Sequence, residues 1–177
     1  MLSYTEELVS EYYKHLEDNG KPRFFISEHV HFPRERKYGW SDIDILAIGK
    51  DEIHIVQTKG YAIHKKTVEE TVEDVVEFFK EAENFVRRTF DIGNKKIVKV
   101  FIADIGLSDN LKNQLKNNGI DEVLSLKDIT LRFFKILLQK YPEMPSKVGK
   151  EESNVTRTLL FLLYSFKKEL SKAGILC

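Results

Sequence analysis

The stretch DIDILAIGKDEIHIVQTK, residues 42–59, constrains this chain more than any other. Two apolar, β-branched runs flank GKDE, an interval short enough to fold one run back on the other. Runs of this composition belong in a sheet. Yet each carries groups that a buried sheet excludes: Asp42 and Asp44 in the first, Gln57 and Lys59 at the end of the second. Strand side chains alternate between faces, so Asp42 and Asp44 are expected on one face, as are Gln57 and Lys59 on theirs. Pairing of the two strands would then bring an acid, an amide oxygen and an ammonium to one point.

The flanking sequence supplies the rest of a layered domain. SYTEELVSEYYKHLEDNG predicts a helix capped by Ser3 and stopped by Gly20, with Leu8, Val9, Tyr12, Tyr13 and Leu16 as its apolar stripe. RFFISEHVHF predicts a strand closed by Pro33, followed by the basic and aromatic loop PRERKYGW. Thr67 with Glu70 forms a capping box for a long helix, whose inner face is Val68, Val72, Val75, Val76, Phe79, Ala82 and Val86. KKIVKVFIADI predicts another strand, Ser108 opens a helix ending at Asn118-Gly119, and IDEVLSL predicts a short strand. A helix over 127–140 stops before Pro142, and a last amphipathic helix is expected over 153–172.

Three early strands followed by strand–helix alternation give an α/β fold, a mixed sheet with helices on both faces. The expected organisation is a main domain over 1–142, then a linker and helix over 143–177 that pack on the core or form a dimer contact.

Composition narrows the partners and the compartment. Hydrophobic residues make up 42% and charged residues 32% of the 177, the balance of a globular protein. Lys and Arg number 28, as do Asp and Glu, so contact with a polyanion must come from local patches. The single cysteine, Cys177, forms no internal disulfide. Glu6, Glu7 and Glu11 interrupt any leader-like N-terminus, and TLLFLLYSF is too short for a bilayer. A cytoplasmic protein without a membrane segment is expected.

The three polar groups suit phosphodiester hydrolysis, which needs a divalent cation, a water that it activates, and a positive group near the phosphate. Magnesium takes one or two carboxylates from a protein and keeps several waters. Asp44 and Gln57 offer oxygen donors, and Lys59 a compact charge for the phosphate.

DIDILAI followed by IVQTK resembles the core of the PD-(D/E)xK nucleases, whose fold is restriction-endonuclease-like, and the Gln-x-Lys form is similar to that of Mrr-type enzymes. TEELVSEYY resembles the family's first helix, and VKVFIADIGLSDNLKNQLKNNGIDEVLSL its later strand–helix–strand, so the likeness spans roughly residues 1–140. It implies a Mg2+-dependent DNA endonuclease, with Mn2+ as a substitute ion. Asp44, Gln57 and a glutamate of the first helix would hold the metal, and Lys59 would be catalytic. Two departures stand out: Ile43 replaces the usual proline, and Gln57 replaces the usual glutamate. The second leaves open a weak or inactive nucleic-acid-binding module on the same fold. At 100° per residue Glu6 borders the apolar stripe, whereas Glu7 and Glu11 point to water, so Glu6 rather than Glu7 is taken as the helix ligand.

Arg34, Arg36, Lys37 and Trp40, with Lys65 and Lys66, form a candidate rim for phosphate contact and base stacking. A solvated charged loop is the plainer reading of the same residues. His29 and His31 share a strand face, but two histidines without a third ligand are read as structural. The last helix allows a homodimer, in which two sites could cut both strands of a duplex.

Overall fold

The computed structural model describes residues 3–34, 39–59, 66–103, 107–143, 153–172 and 174. The chain opens with α1 (Tyr4–Lys14), where the Ser3 side chain accepts from Glu6 N and the Glu6 side chain accepts from Ser3 N. This helix is shorter than expected. It ends at Lys14, and a small hairpin follows, β1 (Glu17–Asp18) with β2 (Lys21–Pro22). Asn19 and Gly20 between them have φ of 52° and 72°. Two successive left-handed residues suit the twist of a two-residue hairpin, so Asn-Gly turns the chain rather than merely stopping a helix.

Five longer strands form the main sheet in the order β3 (Phe25–Pro33), β4 (Trp40–Ile48), β5 (Glu52–Lys59), β6 (Lys96–Ala103) and β7 (Glu122–Ser125). The pairs β3–β4 and β4–β5 are antiparallel; β5–β6 and β6–β7 are parallel. The β4–β5 turn closes on Gly49, whose N–H donates to Glu52 O at 2.8 Å. A Cβ there would lie 3.0 Å from the Phe24 ring and 3.1 Å from Glu52 O, so a larger residue would push these neighbours aside by a few tenths of an ångström.

The parallel crossovers run through α2 (Val68–Thr89) and α3 (Asp109–Asn117), both on one face of the sheet. Right-handed connections between successive neighbouring strands demand that shared face. Val72, Val75, Phe79, Ala82 and Val86 of α2 are buried there against Phe32, Leu46, Ile53, Ile55 and Phe101. The other face carries α1, α4 (Leu126–Lys140) and α5 (Asn154–Ser165), packed on Ile45, Ala47, Val56, Val98, Val100 and Ile102. The architecture is therefore α/β, a five-stranded mixed sheet covered by helices on both faces.

Two further expectations change. The last helix is two: α5 stops at Phe166 (φ −114°, ψ 19°), and α6 (Lys167–Lys172) follows. Glu11 does not face water. It is 7% exposed, because α5 lies against that side of α1 and Thr156 Oγ1 donates to Glu11 Oε2 at 3.1 Å. Among the described residues, no helix is long and apolar enough to cross a membrane.

Candidate functional site

The last rung of the β4–β5 ladder toward the end carrying Gln57 and Lys59 is Ile45↔Val56. Beyond it the Asp44 carboxylate takes over from the main chain: Oδ2 accepts from Thr58 N and, at 2.9 Å, from Thr58 Oγ1. Asp44 is 5% exposed. Burial pushes its carboxyl up to about 6; Glu6 adds to the rise, while the Thr58 hydrogen bonds and the Lys59 charge act the other way. Glu6 and Lys59 thus both exert their fields on Asp44.

Gln57 continues the register in which Ile53 and Ile55 pack against α2, and it sits beside Phe101 of β6. It is 7% exposed, and its Oε1 has no hydrogen-bond partner among the described residues. A buried amide oxygen without a donor forfeits about 1–3 kcal/mol. A cation supplied to the site would satisfy it. Lys59, two residues on, is exposed at the strand end and makes no ion pair among the described residues.

Glu6 reaches the same region from α1. Its Oε2 accepts from Ser3 N at 2.7 Å and lies 3.9 Å from His29 Nε2. His29, taken from the sequence as structural, lies beside this glutamate. The β3–β4 register pairs Glu28↔Ile45 and Val30↔Ile43 but omits the rung between them, His29 opposite Asp44. His29 has φ of 50°, a left-handed backbone that costs a non-glycine residue about 1 kcal/mol or more.

The face alternation slips at this rung. Ile26 packs with the core under α1, yet Val30 and Phe32 pack with the core under α2; Ile45 and Ile43 divide the same way. Asp42 and Asp44 therefore do not belong to one unbroken face, contrary to the simple alternation. Asp42 instead accepts from His29 Nδ1 at 3.1 Å. No sequence pattern announces a left-handed histidine; only the hairpin register, projected onto β3, would have set His29 opposite Asp44.

The rim is less cationic than its sequence. Arg34 Nε donates to Glu81 Oε2 at 2.7 Å, and its Nη2 lies 3.7 Å from Glu77 Oε2. Lys66 pairs with Asp74. Trp40 is 73% exposed. Arg36, Lys37 and Lys65 lie outside the described residues.

Among the described residues, no three His, Cys, Asp or Glu side chains are already gathered as a ligand set. The donors on hand are the Asp44 carboxylate, an amide oxygen without a partner among the described residues and a helix glutamate. Oxygen donors of this kind suit a hard divalent cation.

Fold and site together define an α/β domain with a candidate cation site where two sheet strands part. No protein-family model matches the chain, and no curated protein does. The crystal structure of AF1548, a protein of unknown function, is similar over 98% of this chain and 79% of that one, at 15% identity and a TM-score of 0.48.

Proposed function

We propose that this chain is a metal-dependent endonuclease that hydrolyses phosphodiester bonds in DNA, on a restriction-endonuclease-like scaffold with an Mrr-like Gln-x-Lys motif. The observation that carries the reading is the Gln57 amide oxygen, buried and without a donor among the described residues, two positions before Lys59, whose charge acts on Asp44. Asp44 and Gln57, helped by Glu6, would hold Mg2+ or Mn2+. When bound, the ion offsets charge on the phosphate and acidifies a water.

The remaining work falls to the chain. Thr58 fixes the Asp44 carboxylate through Oδ2. Lys59 Nζ, without an ion pair among the described residues, donates to a non-bridging phosphate oxygen and opposes the charge that builds on it. Trp40, with its exposed indole, is the rim group best placed to stack on a base. The chain would work in the cytoplasm, and pairing of two copies would let both strands be cut.

Incubation of supercoiled plasmid with the protein and Mg2+ or Mn2+ tests the reading. Lys59→Ala is expected to slow cleavage by about a hundred- to a thousandfold while circular dichroism and melting stay unchanged. Wild-type-like cutting by that variant removes the assignment. One observation favours a second reading, a non-catalytic DNA-binding module: Glu6 Oε2 is already committed to Ser3 N. That reading predicts DNA retention in a gel shift with no cleavage under either ion.

A further inference from the structure

His29 presents one ring nitrogen to a carboxylate and the other to a gap. A carboxylate only accepts, so the 3.1 Å contact with Asp42 Oδ2 requires a proton on Nδ1. In the neutral ring Nε2 is then a lone pair. It is buried, has no hydrogen-bond partner among the described residues, and faces Glu6 Oε2 at 3.9 Å. Two acceptors that face one another, with the imidazole nitrogen itself shut off from water, repel unless something positive lies between them.

At 3.9 Å the two atoms are too far apart for a direct hydrogen bond. A shared metal ion fits the separation. Nitrogen and oxygen donors each about 2.0–2.2 Å from one ion stand roughly 3–4 Å apart. The Asp42–His29 pair also has the form in which a carboxylate orients a metal-bound imidazole through its other nitrogen. The left-handed backbone at His29, opposite Asp44 and outside any turn, turns the ring into this position.

We infer that His29 is a nitrogen ligand of the cation held at this site, and that the site therefore prefers a first-row transition ion such as Mn2+ to Mg2+. The inference rests on the proposed cation site and sharpens it. Imidazole suits transition ions, whereas Mg2+ selects oxygen donors and stays largely hydrated. With His29 and Glu6 as the close pair, a nitrogen donor beside an oxygen donor, the site discriminates by ligand type. His29 would be read as a ligand alone, with no part in moving a proton.

The test is calorimetric titration of the full chain with MnCl2 and with MgCl2, together with electron spin-echo modulation of the Mn2+-loaded protein. Wild type is expected to bind Mn2+ at least about tenfold more tightly than Mg2+ and to show imidazole-nitrogen modulation. His29→Asn suits the left-handed backbone and removes the ligand nitrogen. It is expected to abolish the modulation and erase the Mn2+ preference, with Mg2+ affinity held within about threefold. Asp42→Ala, which unpins the ring without deleting it, should weaken Mn2+ by roughly 10- to 100-fold and keep the nitrogen signal; it carries the test should His29→Asn fail to fold. Mn2+ bound without nitrogen modulation, or unchanged by either variant, overturns the role of His29 and leaves the proposed site standing. No binding of either ion by the wild type overturns both.

Discussion

The Asp44 carboxyl gives up nearly all of its hydration on folding, and its rise to about 6 from the ordinary 3.8 has a consequence for stability. A raised value means that the folded state favours the protonated form. The stabilisation is fully present below 3.8 and is lost as pH rises through about 6. A shift of that size corresponds to about 3 kcal/mol. Asp44→Asn keeps an oxygen to accept from Thr58 N and Oγ1 but has no charge to bury. Its urea-denaturation stability is therefore expected to exceed that of wild type at about pH 8, with the gap closing by about pH 4. A gap independent of pH would contradict this account of Asp44. The polar trio itself was legible, because an acid, an amide and an ammonium stand out against β-branched neighbours. His29 was not, since its part depends on a backbone dihedral. The ion pairs of Arg34 were hidden for a related reason: its partners Glu77 and Glu81 lie on α2, more than forty residues away, where no local spacing points to them.

At the scale of elements, capping chemistry made several boundaries readable. Ser3, Thr67 and Ser108 each cap the helix that they were expected to open. The misreadings have distinct causes. Asn19-Gly20 signals a helix stop and a hairpin turn equally well, and the short β1–β2 pair decided for the turn. Glu11 was set facing water because helical periodicity identifies one buried stripe, whereas α1 is covered from two directions, by the sheet and by α5. The second cover depends on the polar tie between Thr156 and Glu11. Thr156→Val preserves shape but withdraws that donor from a buried carboxylate. It is expected to cost about 1–3 kcal/mol in chemical denaturation, with the fold retained by circular dichroism. No loss would show that α5 is held by Val155, Leu159, Leu160 and Leu163 alone.

At the scale of the molecule, the strand order and the two helical layers follow from the alternation of apolar runs, and they set the candidate site where β4 and β5 part. What composition could not reveal is how the balanced charges are spent. With Arg34 and Lys66 engaged by α2 acids, fewer of the rim's described cations are left to replace counterions along a duplex. DNA affinity measured across salt is expected to fall with a log–log slope no steeper than about −4, and a slope of about −8 would contradict that spare cationic rim. The central claim is narrower still: Asp44 and Gln57 hold a divalent cation beside Lys59. An anomalous difference map from Mn2+-soaked crystals tests it most directly. A peak within about 2.5 Å of both the Asp44 carboxylate and Gln57 Oε1 is predicted. A well-ordered site with no such peak, while Mn2+ binds elsewhere on the chain, would contradict it.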